Sequence, residues 1–309
     1  MRTVGRRSLL ATGAAFAITS PSPAAASAAP GLAVTIDDFN LADTPLMTGV
    51  ERDAAIRRAL SRHGVNAAGF VAGKYIDGER SPRVLAAWSD EGHTLGNHSF
   101  SHAYYGGSDP GGMMADILRC EPLLLLYAGV RRFFRFPYLA EGKTAEGRDA
   151  LRILLREHGY RIAPVTIDTS DWYIDNRLTA HLKADRQADL KPYRRFWLDH
   201  LWDRACYYDG LARAVLGRSL DHTVLLHHRL ATGLFLDDAL TMFRDRGWRV
   251  VNASAALAKP ELNRSYDTLP AGQSLVWAAA KASGRFDEVL RYPGEDDSYQ
   301  KPKMDALGL

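Results

Sequence analysis

His98 and His102 stand four residues apart in "GNHSFSH", residues 96–102, in a chain of 309 residues with ten histidines. On a helical turn, residues i and i+4 share a face, their Cβ atoms about 5–6 Å apart. Both imidazoles could then reach one metal ion. A catalytic zinc site takes three protein ligands and leaves one position open, so a third ligand is needed. The adjacent carboxylates Asp37 and Asp38 of "TIDDFN" are the best source. They end the apolar run "LAVTI" (32–36), and burying two neighbouring carboxylates is costly unless a metal and an arginine offset their charge. The bland alternatives are a solvated strand-end turn for the aspartates and a solvated face for the histidines.

Three further polar clusters follow apolar runs. "RFPY" (135–138) follows "FF", "DTSDW" (168–172) follows "APVTI", and "LLHH" (225–228) closes "TV". Polar clusters at the C-terminal ends of strands are where parallel α/β folds and barrels build active sites. The elements that would place them there alternate. "LAVTI", "AAGFVAG" (67–73), "HTLGN", "FFRF", "RIAPVTI" and "TVLLH" (223–227) read as strands. "ERDAAIRRALSRHG" (51–64) reads as a helix with Gly64 as its stop, and "SPRVLAAWSDEG" (81–92) as one with Ser81 as N-cap. A long helical region spans about 178 to 218. Its Tyr193, Trp197, Leu201, Tyr208 and Leu211 follow helical spacing and read as core-facing; His63, His158 and His200 read as surface or satisfied positions. The rhythm predicts an α/β fold with a parallel sheet, a (β/α) barrel, in a single domain.

The ordered set "TIDD", "HSFSH", "RFPY", "DTSDW", "LLHH" resembles the five motifs of the NodB-homology polysaccharide deacetylases, carbohydrate esterase family 4. The resemblance runs from about residue 33 to 228 and implies that family's distorted (β/α) barrel. It also implies metal-dependent removal of N-acetyl, sometimes O-acetyl, groups from sugars, with one divalent ion, most often Zn2+. By the resemblance, Asp38, His98 and His102 would be the metal ligands and Asp37 the general base, with Arg135 paired to it. Tyr138 would contribute a backbone N–H to the oxyanion. His227 would be the general acid, oriented by Asp171, with Trp172 a groove wall and Leu225 in the acetyl pocket. Where the family has Gly, often Gly-Pro, after its Asp pair, this chain has Phe39 and Asn40. Phe39 is expected to border the cleft and alter substrate shape. The family often ends its last motif in His-Asp; here it is His227-His228. Two rival readings are a same-fold hydrolase of a small amide and a non-catalytic, glycan-binding member.

Composition narrows the partners. Hydrophobic residues make up 46% and charged residues 24% of the chain. The formal net charge of +3 equals the three arginines of residues 1–28, Arg2, Arg6 and Arg7, a stretch with no acid. The remainder is balanced, which argues against a nucleic-acid partner and leaves neutral polymers or small molecules, among them the acetylated glycan that the resemblance implies. Residues 1–28 read as an export signal, with a twin-arginine pair at Arg6-Arg7 and an A-x-A site at Ala26-Ser27-Ala28. The mature chain is expected in the periplasm or outside the cell, with no integral membrane segment. Residues 29–258 would form the deacetylase-like domain and 259–309 a C-terminal extension packed on the barrel. Cys120 and Cys206 read as two buried free thiols rather than a disulfide scaffold. The oligomeric state is not legible.

Overall fold

The computed structural model describes residues 29–292 and 295–309; the export-signal reading falls on residues outside this range. The strands are β1 (Gly31–Asp38), β2 (Ala68–Val71), β3 (Thr94–Asn97), β4 (Val130–Phe134), β5 (Ala140–Gly142), β6 (Arg161–Ile162), β7 (Asp221–His227), β8 (Arg249–Val250) and β9 (Ala271–Gly272). The helices are α1 (Gly49–Arg62), α2 (Ser81–Asp90), α3 (Pro110–Leu124), α4 (Ala145–Glu157), α5 (Asp171–Ala184), α6 (Lys191–Leu216), α7 (Leu230–Asp245), α8 (Ala253–Leu257), α9 (Leu275–Ser283) and α10 (Asp297–Leu307). The main sheet runs β6-β4-β3-β2-β1-β7 with β8 beside β1, and every pairing in it is parallel. Helices cover it, so the fold is the expected α/β half-barrel in one domain. β1 is buried along all eight residues, as a central strand covered on both faces must be.

Local chemistry explains where elements begin and end. Thr48 and Glu51 form a capping box at the start of α1; Ile56, Ala59 and Leu60 face the core, and Gly64 takes a left-handed φ of +62° past its end. α2 begins one residue earlier than expected. Asp77, not Ser81, receives the N–H groups of Arg80 (2.5 Å) and Ser81 (3.0 Å). The helical region around 178–218 is two helices. Asp185 turns extended, and Pro192, which has no N–H to spend, sits in the first turn of α6. Tyr193, Trp197, Leu201, Tyr208 and Leu211 are all buried, so the aromatic stripe is core. Only Arg161 and Ile162 of "RIAPVTI" join the sheet as a strand; past Pro164 the chain crosses to a single bridge between Ile167 and Val224. Both cysteines are free, but Cys206 is exposed, not buried. The segment after residue 259 places β9 against β5, α9 against α6 and α10 against α5. Among the described residues, no helix is long and apolar enough to cross a membrane.

Candidate active site

Parallel register brings the motifs to one end of the sheet. Asp37 at the end of β1 pairs in register with His227 at the end of β7, and Asp38 with Val71 on β2. Arg135 follows β4, and its N–H bonds to Asn97 O on β3 (3.0 Å). A cleft of about 530 Å3 opens there, lined by Asp37, Asp38, His98, His102, Tyr138, Trp172, Leu225 and His227.

Asp38, His98 and His102 each offer a ligand atom, all within 4.8 Å of one another. His102 Nε2 lies 3.1 Å from Asp38 Oδ1, and His98 Nε2 3.7 Å from the same atom. His98 Nδ1 donates to the Arg135 carbonyl (2.8 Å), which leaves Nε2 for a ligand role, as in metal sites generally. Burial, outweighing the two aspartates, pushes the His98 pKa down to about 4, so the imidazole is neutral and its lone pair free. Asp38 Oδ1 is buried without a hydrogen-bond partner. Burial resists its charge, but the neighbouring histidines hold its pKa well below the usual carboxylate range. A buried, ionised, under-bonded oxygen beside the nitrogens of two imidazoles fits a divalent cation.

The histidine pair does not lie on a helical turn. Ser99 and His102 both have positive φ, +62° and +53°, and side-chain acceptors both near and far hold the loop. Asn97 Oδ1 accepts from Ser99 N (2.8 Å), Ser99 Oγ from His102 N (3.0 Å). Asp116 on α3 accepts from Phe100 N (3.1 Å), Ser101 N (3.0 Å) and Ser101 Oγ (2.9 Å). Left-handed non-glycine residues are uncommon and strained. Seven of the eight described cases fall on motif residues or directly beside them: Asp38, Phe39, Ser99, His102, Tyr138, Leu139 and Ser170; the eighth is Gln273.

Arg135 is 1% exposed. Its Nη1 sits 3.3 Å from both Asp37 oxygens, and its Nε donates to Ala163 O (2.7 Å). Across the cleft, His227 Nδ1 is 2.6 Å from Asp171 Oδ1, and His227 N donates to Asp171 Oδ2 (2.8 Å). Burial disfavours a charged imidazole, but the Asp171 carboxylate outweighs it, and with help from Asp38 raises the His227 pKa to about 9. Asp171 is the first residue of α5, where the helix dipole favours negative charge.

Phe39 is not in the cleft. It is 3% exposed, with its ring edge-on to Trp88 (4.9 Å) and tilted against His228 (5.3 Å). The left-handed turn at Asp38 and Phe39 carries it under the sheet, over Gly69, where any Cβ would meet the ring at 2.4 Å. His228 shares that layer. Its Nδ1 accepts from Arg52 Nε (3.4 Å) and its Nε2 lies 3.3 Å from Asp53 Oδ1.

Several cleft residues escaped the sequence reading. Tyr75, Tyr104 and Asp168 line it, and so do Pro270, Gln273, Tyr292, Glu295 and Asp296 from the C-terminal segment. Asp168 was visible as the first residue of "DTSDW", yet nothing in its type gave it a role. Burial and the Glu295 charge raise its pKa to about 7. The C-terminal residues carried no signal, since cleft position there depends on tertiary packing.

Residues 26–163 match the family model described as polysaccharide deacetylase. A peptidoglycan-N-acetylglucosamine deacetylase from Bacillus cereus is 29% identical over 114 residues, 37% of this chain and 38% of that protein. A chitin deacetylase from Colletotrichum lindemuthianum is 26% identical over 159 residues, 51% of this chain and 59% of that protein. The chain thus spans less than two thirds of either relative. A mutant of a CE4 family pseudoenzyme superposes with a TM-score of 0.52 at 18% identity, over 77% of this chain and 71% of that one; at that identity the likeness concerns fold alone. Over residues 26–163 the chain thus resembles the polysaccharide deacetylase family.

Proposed function

We propose that this protein hydrolyses acetyl groups from an acetylated glycan, N-acetyl groups of an N-acetylglucosamine-type polymer above all, outside the cytoplasm. One observation carries the reading. The Asp37–Arg135 pair adjoins the Asp38, His98, His102 set and faces the His227–Asp171 pair across one cleft. A pseudoenzyme fold-relative makes residue geometry, rather than fold, the deciding matter.

A divalent cation held by Asp38, His98 and His102, zinc by the character of this N/N/O set, would act as a Lewis acid toward the acyl carbonyl and the attacking water. Asp37 accepts the water's proton, and Arg135 offsets the cost of its buried carboxylate. The Tyr138 backbone N–H would meet the developing oxyanion. His227, charged at neutral pH beside Asp171, hands its proton to the departing amine. Leu225 gives the acetyl methyl an apolar wall. Trp172, with exposed Tyr104 and Tyr138 at the rim, offers sugar rings flat apolar faces.

The test is acetate release from a panel of acetylated glycans, with metal content measured alongside. Asp37→Asn should keep its metal and lose about 10²–10⁴-fold in turnover, whereas Asp38→Asn should lose metal. Equal metal loss in both would reject the division of roles. A metal-loaded wild-type protein that releases no acetate from any glycan but binds one would point to the non-catalytic reading.

A further inference from the structure

We propose that a second cavity, at the seam of the sheet, is an oxyanion site that takes an acidic sugar, its carboxylate or phosphate held by arginines. β6 and β7 are the two ends of the strand order; among the described residues no ladder joins them, and the chain between them meets β7 through one isolated bridge, Ile167 with Val224, and through hydrogen bonds of Pro164, Thr166 and Thr169. The sheet therefore has a gap. A cavity of about 310 Å3 lies beside it, bounded by β6, α4 and the segment from Leu262 to Ala278. That volume is at the small end of the range of ligand pockets, roughly 300–1,000 Å3.

The charge of its wall is one-sided. Arg152, Arg156, Arg161 and Arg264 line it with a single carboxylate, Glu141. Glu141 takes up Arg152, at 2.9 and 2.7 Å, and exposed Asp267 stands 3.5 Å from the same guanidinium. Arg161 donates to neutral acceptors, the Leu257 carbonyl (3.0 Å) and Asn263 Oδ1. Neither Arg156 nor Arg264 forms an ion pair with a described residue. Three cations without a carboxylate partner thus share one concave wall, in a chain whose net charge outside residues 1–28 is zero. Concave walls of one sign focus field and concentrate counter-ions. The planar guanidinium fork matches the two oxygens of a carboxylate or phosphate. Leu155 and Leu262 supply an apolar backing for a ring. Phe136, Leu139 and Gln273 line both this cavity and the cleft, so an acidic unit bound here would sit one wall away from the site of hydrolysis. That last step, a glycan carrying the acid, rests on the function proposed above; anion capture itself does not.

The experiment is calorimetric titration of the full chain with glucose 6-phosphate, glucuronic acid and glucose, repeated with Arg156→Gln/Arg264→Gln. Both substituted residues are exposed, so the fold should survive, and circular dichroism checks it. The expected result is saturable binding of one or both acids and none of glucose. In the double variant the acid should bind at least about tenfold more weakly, while acetate release from a neutral glycan stays unchanged. The tighter of the two acids tells phosphate from carboxylate as the natural group. No saturable binding of either acid, equal binding of glucose, or unchanged affinity in the variant would overturn the proposal. Because the readout is heat of binding, absent acetate release would sink the function above without touching this result.

Discussion

At the scale of single residues, the last motif offers two adjacent histidines for one acid. Alternation along β7 puts Leu225 and His227 on the cleft side. His228, 1% exposed, lies between Arg52 and Asp53 beneath Phe39. His227→Ala should therefore lose about 10²–10⁴-fold in turnover with metal retained. His228→Ala should cost about 1–3 kcal/mol of stability, because Arg52 and Asp53 each lose a buried partner; thermal melts and kinetics on the same preparations separate the two. The pH profile adds a sign. Asp171 raises the pKa of His227 to about 9, so the working acid form is present at neutral pH and is lost as pH rises through that value. The same raised pKa means that any stability this pair contributes is fully present below about 6.5 and gone above 9. A cation beside Asp38 would weaken that aspartate's share of the pull, so the alkaline limb of kcat/KM should fall at or below 9. In Asp171→Asn it should move further down. A limb that stays put in that variant would remove His227 as the titrating group. That these residues would gather at one site was legible because the motifs are short and local. The seat of Phe39 was not, since it depends on a left-handed turn at Asp38 and on empty space over Gly69, neither of which side-chain type reveals.

Among elements, the loop after β3 decides whether the two imidazoles converge. Its spacing suggested a helical turn, and the strand before it was readable as a short apolar run. The loop itself is held by side-chain acceptors, Asn97 within it and Asp116 some fifteen residues on. No periodicity reports such a bond, because the acceptor belongs to another element and only folding brings it near. Asp116 contacts no ligand atom in the cleft, yet it gathers three donors of the segment between His98 and His102. Asp116→Ala should thus lower metal affinity about 10–100-fold, as loss of an outer-shell support does, with little change in far-ultraviolet circular dichroism. Competition with a chromophoric chelator measures it. Wild-type affinity in that variant would mean that the loop holds its shape through Asn97 and Ser99 alone. The same reasoning bears on the two helices read as one: buried apolar residues recur on both sides of the polar stretch 183–191, and the extended Asp185 and Pro192 mark the break.

For the whole molecule, the metal set links the ends of separate elements, since Asp38 closes β1 while His98 and His102 follow β3. In the unfolded chain Asp38 lies 60 and 64 positions from His98 and His102, so the cation should bind the native state far better than the unfolded one. Binding then stabilises by mass action, about 2.7 kcal/mol when free metal is a hundredfold above Kd. For a domain somewhat above 200 residues, 1 kcal/mol moves Tm by about 2–4 °C, so loading should raise Tm by about 5–10 °C. The cation also relieves a native-state cost, the buried Asp38 oxygen that has no hydrogen-bond partner. The check is a pair of thermal melts, with chelator and with added zinc, on wild type and on Asp38→Asn. The wild type should show the shift and the variant should lose most of it. The variant without metal should melt no lower than chelated wild type, because its neutral amide no longer buries a carboxylate charge. A variant that keeps the full zinc-dependent shift would place the stabilising metal elsewhere in the molecule and leave His98 and His102 without their third ligand.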